Sequence, residues 1–101
     1  MSGEPDWQAA LAVLRIKIDT IDNEILRLLG ERGRLVHQVG ELKPHVGAVR
    51  DPKREQQVLD RAALLATEYG LESEFGRDLY RFLLNYFASR EEIQVMQRDA
   101  R

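Results

Sequence analysis

The chain has no cysteine. That excludes a disulfide framework, a thiolate nucleophile and a cysteine-ligated zinc site, and it suits a reducing compartment. Nor does any apolar run approach the ~20 residues a membrane-spanning helix needs. The opening MSGEPDW has neither a basic start nor an apolar core, so no signal peptide is expected and the expected location is the cytoplasm. A large excess of either charge is missing too. Fifteen Lys and Arg against 17 Asp and Glu leave a formal net charge of -2, which favours no polyanion, so nucleic acid is not an expected partner. There is no alternating strand pattern, internal repeat, low-complexity tract, Gly-rich phosphate loop, serine triad or paired-carboxylate hydrolase motif. His37 and His45 lack metal-ligand spacing with each other and with nearby carboxylates, so no metal site is expected.

What is present is a composition 44% hydrophobic and 32% charged, which reads as globular. A chain of 101 residues reads as one domain, 1-101, too small to bury much of its own surface. Steps of three and four then lead through Trp7, Leu11, Leu14, Ile18, Ile21, Ile25, Leu28, Arg32, Leu35, Val39 and Leu42. Every slot except Arg32 is apolar. Such a heptad seam marks a long helix packed lengthwise against others. At ~1.5 Å per residue the helix is on the order of 50 Å long, more than one small chain can cover, so a second copy is expected.

The boundaries are legible locally. The first helix starts near Pro5 or Asp6 and stops before Pro44, which leaves Lys43 at a hinge. PHVGAVR reads as a short exposed loop. Asp51 and Pro52 suit the cap and first position of a second helix, and Gly70 suits its left-handed end. Leu71, Ser73 and Phe75 suggest a third start, with Ser73 as the cap and Leu71 packing back. Phe75, Leu79, Phe82, Tyr86, Ile93 and Met96 continue a core face. The expected fold class is all-α: three helices, the first very long, in an intertwined homodimeric bundle.

Arg32 then needs a reason. A polar residue in a seam can fix register or oligomer state. Alternatively, a guanidinium held within a helical bundle calls for a carboxylate or phosphate opposite it, supplied by the protein or by a ligand. Arg15 and Lys43 share a stripe beside the seam but lie roughly 42 Å apart along a straight helix, so one chain cannot bring both to one small ligand. An antiparallel copy brings Arg15 of one subunit near Arg32 and Lys43 of the other. In VRDPKRE, Asp51, Arg54 and Glu55 either form an ordinary charged first turn or face inward as a cation and two acceptors.

The ordered set LRIKIDTIDNEILRLLGERGRL, VGELK, a short loop, VRDPKRE and a third amphipathic helix resembles the all-helical (type II) chorismate mutase family over roughly Leu11 to Gln97. The resemblance implies an intertwined homodimer with two sites, each completed by an arginine from the other chain's first helix. Arg15 is then the arginine lent across the dimer to a substrate carboxylate, and Arg32 grips a carboxylate from within its own chain. Lys43 donates to the ether oxygen, Asp51 and Glu55 lie near the C4 substituent of the ring, and Arg54 adds to the cationic wall. A third-helix residue that also meets the ether oxygen, often Gln and in some members Glu, falls at Glu91. One turn earlier, where serine is common, this chain has Phe87.

The implied reaction, chorismate to prephenate, is a unimolecular Claisen rearrangement. It requires no cofactor, metal or nucleophile. The protein's part is to hold the enolpyruvyl arm over the ring and place positive charge at the breaking ether bond. Glu91 can donate to that oxygen only when protonated. Phe87 reshapes the pocket, and two acidic groups near C4 suit an ammonium, so a 4-amino-4-deoxychorismate mutase is the second expectation and an isochorismate pyruvate lyase the third. A non-catalytic helical dimerisation or regulatory module is the alternative of another class.

Overall fold

A computed structural model describes residues 6-101 as three helices joined by short connections, with no strand among the described residues. Helix α1 spans Trp7–Leu42, α2 spans Pro52–Glu68 and α3 spans Ser73–Asp99, with a single 3-10 turn at Val46–Ala48 between α1 and α2. Pro5, one of the two expected starts of α1, lies outside the described residues. Asp6 is described, and its Oδ1 accepts from the backbone N–H groups of Gln8 at 3.0 Å and Ala9 at 3.3 Å, an N-terminal cap. On the exposed side of α1, Arg27 donates to Glu24 at 2.8 Å and to Glu31 at 3.0 Å, the i−3 and i+4 pairings that support an isolated stretch of helix.

The chain divides into two compact units, the first ending at Arg34 and the second running from Leu35 to Arg101. In the first, the apolar seam of α1 lies open: Trp7 is 67% exposed, and Leu14, Ile18, Ile21, Ile25 and Leu28 are all exposed.

In the second unit α2 packs on α3. Small side chains make that contact. Ala62, Ala63 and Ala66 of α2 are buried, as are Gly76, Leu83 and Val95 of α3, Val95 completely. The end of α1 is fastened to α3 by hydrogen bonds: Gln94 Nε2 donates to the His37 carbonyl at 2.9 Å and to Glu41 Oε1 at 3.1 Å, and Arg98 Nη1 donates to the Gly40 carbonyl at 3.3 Å.

The expected end of α2 is present. Gly70 has φ 79°, the Gly70 N–H donates to the Thr67 carbonyl at 3.2 Å, and the Leu71 N–H donates to the Ala66 carbonyl at 2.8 Å, the two bonds of a Schellman motif. Three expectations are corrected. Ser73 is the first residue of α3 rather than its cap. Glu72 holds the cap position with extended backbone and no side-chain cap bond, and Leu71 stays exposed rather than packing back. The segment after Pro44 is not simply an exposed loop: its 3-10 turn tucks Val49 to 7% exposure. And Phe75, Leu79, Phe82, Tyr86, Ile93 and Met96 are all exposed in the single chain, because the face of α3 that meets α2 is the neighbouring one bearing Gly76 and Leu83.

Candidate active site

Arg15 is exposed on α1 and Arg32 is half-buried on the same helix, both within the first unit. The other candidate residues, Lys43, Asp51, Arg54, Glu55, Phe87 and Glu91, belong to the second.

Lys43 is positioned by the end of α1. Pro44 stops the helix, and the Lys43 N–H closes the last turn on the Gly40 carbonyl at 3.1 Å. Its side chain is half-buried, and Nζ donates to the Ala48 carbonyl at 3.0 Å. The 3-10 turn therefore gives the ammonium a fixed backbone anchor. Two of its three donor protons stay available for other acceptors.

Glu91 lies within electrostatic reach of that ammonium. Burial pushes its carboxyl above the ordinary value of 4.5, the Lys43 charge opposes the rise, and the neighbouring Glu92 adds to it. The residue is only 7% exposed, yet its Oε2 has no hydrogen-bond partner. A buried oxygen left so costs stability unless something binds it. An ammonium and a carboxyl whose pKa is raised by burial thus lie within electrostatic reach of each other.

At the start of α2, Asp51 caps the helix, its Oδ1 accepting from the Arg54 N–H at 3.2 Å, with Pro52 at the first helical position as expected. Arg54 and Asp51 are exposed, and Glu55 is half-buried within electrostatic reach of Asp51. Glu55 is already engaged. Arg50 donates to it through Nε to Oε2 at 2.9 Å and through Nη2 to Oε1 at 2.8 Å, and the same Nη2 reaches Asn85 Oδ1 on α3 at 2.9 Å. That bond holds the Glu55 carboxyl below its ordinary value. Phe87 is half-buried, edge-on to Tyr86 with ring centres 5.1 Å apart, and the Arg90 guanidinium sits 5.6 Å from the centre of the Tyr86 ring.

Sequence reasoning missed Arg50, Asn85 and the Ala48 carbonyl. Arg50 lies five positions before Glu55, outside the three- and four-residue spacings that mark helical neighbours. The pair spans the N-cap of α2, where Asp51 has extended backbone, so helical spacing does not apply to it. Among the described residues, no group of three or more potential metal ligands comes together and no helix is long and apolar enough to cross a membrane.

Residues 14–92 match the model of the family described as chorismate mutase type II. A chorismate mutase of Methanocaldococcus jannaschii is 38% identical over 77 residues, 75% of this chain and 78% of that protein. An isochorismate pyruvate lyase of Pseudomonas aeruginosa is 29% identical over 87 residues, 86% of each chain. A bifunctional chorismate mutase/prephenate dehydratase of Buchnera aphidicola is 33% identical over 76 residues, which cover 74% of this chain but only 20% of that longer protein. Matched over most of its length by the family model and by a relative of similar size, this all-helical chain belongs to the type II chorismate mutase family.

Proposed function

We propose that the protein is a chorismate mutase that converts chorismate to prephenate within one helical domain, 1-101, acting as a homodimer in the cytoplasm. The observation that carries the reading is that Lys43, anchored on the Ala48 carbonyl, lies within electrostatic reach of Glu91, whose Oε2 is buried and partnerless. In the rearrangement the ether C–O bond breaks as a new C–C bond forms, and negative charge gathers on the ether oxygen. Lys43 and protonated Glu91 both donate to that oxygen, where preorganised donors act more strongly on the transition state than on the ground state. Arg32 holds one substrate carboxylate and Arg15 of the other subunit holds the second, which keeps the enolpyruvyl arm folded over the ring. Arg54 adds positive potential, Asp51 and Glu55 accept from the C4 substituent, and Phe87 shapes the wall.

The second copy is supported by the exposed seam of α1 and by the exposed apolar stripe of α3. Surfaces of this kind mark an interface. The dimer is intertwined because a seam of this length is covered only by a partner running alongside it.

Mixing the purified protein with chorismate, with 4-amino-4-deoxychorismate and with isochorismate tests the reading, with substrate loss followed by ultraviolet absorbance and products identified by mass. Conversion of chorismate to prephenate supports it. Preference for the amino compound makes the protein a 4-amino-4-deoxychorismate mutase. Release of pyruvate from isochorismate makes it a lyase, the reading favoured by the near full-length likeness to the Pseudomonas aeruginosa enzyme. Inactivity on all three substrates, with the dimer intact, leaves the dimerisation module.

A further inference from the structure

The contact that the proposed mechanism leaves unexplained is the grip of Arg50 on Glu55. The pair is half-exposed, with 39% of the Arg50 side chain and 25% of the Glu55 side chain accessible, and pairs so placed add little to stability. Its geometry is nevertheless specific. Two parallel N–H···O bonds of 2.8 and 2.9 Å join the guanidinium to both carboxylate oxygens, and a third bond ties the guanidinium to Asn85 on α3. Three fixed points on two segments hold Glu55 in one orientation. Each carboxylate oxygen keeps a further lone pair for another donor.

We propose that Arg50 is a positioning and specificity-determining residue: clamped between Glu55 and Asn85, it turns Glu55 into a charge-neutralised acceptor that favours a hydroxyl over an ammonium on the substrate ring. This rests on the reading that Glu55 faces the C4 substituent. A hydroxyl needs only a directed lone pair, which the clamped carboxylate offers. An ammonium needs a free negative charge, and here it meets a carboxylate already matched by a guanidinium whose own charge repels it. Asp51 and Glu92 also lie within electrostatic reach of the pair, Asp51 acting on Glu55 and Glu92 on Arg50. The lowered carboxyl of Glu55 agrees with a clamp that persists across the neutral range.

The test compares kcat/KM for chorismate and for 4-amino-4-deoxychorismate in the parent, Arg50→Gln, Arg50→Lys and Glu55→Gln proteins. In Arg50→Gln the ratio of chorismate to amino substrate falls about tenfold, the repulsion of one like charge roughly 7 Å away in a largely solvated site of effective dielectric about 35. Arg50→Lys keeps the charge and loses the fork, so it restores the ratio while kcat on chorismate falls below the parent value, because Glu55 is no longer held in one orientation. A ratio that moves in Glu55→Gln but not in Arg50→Gln overturns the role of Arg50 and leaves Glu55 at C4. A ratio unmoved in both removes Glu55 from C4 and the proposal with it. Carbon NMR of the Glu55 carboxyl reads the clamp without any substrate: its titration moves up toward the ordinary value in Arg50→Gln, and an unmoved titration overturns the clamp.

Discussion

At Gly76 the backbone of α3 comes close against α2, and a single methyl group there tests the packing of the two helices. A Cβ built on Gly76 falls 2.5 Å from the Ala62 carbonyl oxygen, 2.6 Å from Ala66 Cβ and 3.1 Å from the Ala62 carbonyl carbon. Optimal contacts between carbons lie at ~3.5 to 4.0 Å, so the methyl group is about 1 Å too close to its nearest neighbours. None of these is the end of a flexible side chain, so the helices themselves must part. Overpacking of this kind costs ~1 to 3 kcal/mol, against a gain of up to ~1 kcal/mol from replacing a helical glycine by alanine. Two of the three contacts fall below 3.0 Å, which puts the cost in the upper part of that range and leaves a net loss of about 1 to 2 kcal/mol. For a domain of this size that lowers Tm by roughly 5 to 15 °C. Thermal unfolding followed by circular dichroism, with both proteins at one concentration, reads it. Adding Ala66→Gly to Gly76→Ala removes one of the clashing groups but leaves the Ala62 carbonyl, so the two substitutions should couple favourably and recover only part of the loss. A Gly76→Ala protein as stable as the parent, or more so, refutes the close contact between α2 and α3.

Lys43→Ala should lower kcat by ~10² to 10³ with a smaller change in KM, the signature of a donor used mainly in the transition state; near-normal turnover in a steady-state assay removes Lys43 from the mechanism. Glu91 carries a raised pKa, so its donating form prevails below that value and activity should fall as pH rises through it, whereas Glu91→Gln should give a flatter pH-rate profile. Stability has the same sign. The contribution from Glu91 is fully present below the ordinary value of 4.5 and is lost as pH rises through the raised one, and denaturant titrations of parent and Glu91→Gln across that window check it. If Arg15 is lent across a dimer, Arg15→Ala and Lys43→Ala chains, each inactive alone, should regain about a quarter of parental activity when unfolded together and refolded in equal amounts, because half the dimers are mixed and each mixed dimer has one intact site. No recovery, with mixed dimers shown by native mass spectrometry, places Arg15 in its own chain's site.

The sequence disclosed most where the signal is local. Pro44, Asp51 with Pro52, and Gly70 each act through their own backbone or side chain, and the helix boundaries follow them. Ser73 failed as a cap because capping depends on which residue takes the extended backbone, and here Glu72 takes it. The long apolar seam was legible as a seam. The stripe on α3 was legible only as apolar, since periodicity does not say whether the covering surface comes from the same chain. What α2 covers is the adjacent face, built around Gly76 against alanines, and small residues give a weak hydrophobic signal. In the site, the burial of Glu91 and its partnerless oxygen are tertiary facts that no local pattern in the sequence carries. The Arg50 clamp is tertiary in the same sense: it joins residue 50 to residues 55 and 85.

The exposed apolar residues and the candidate site pose one problem rather than two. A chain that leaves Trp7, Leu28 and Leu42 in water, Leu42 at 83% exposure, forgoes the burial that normally offsets chain entropy. Its second unit has an interior of alanines, a glycine and a few aliphatic side chains, a small core for a helix of 27 residues. Yet that helix carries Asn85, which holds Arg50, and Glu91, which with Lys43 at the end of α1 is proposed to act on one oxygen and must then be kept in place to a fraction of an ångström. On the proposed reading, a second copy covers the exposed surface and supplies the rigidity the site requires. If that association is what fixes the donors, folding stability and activity rise together with chain concentration.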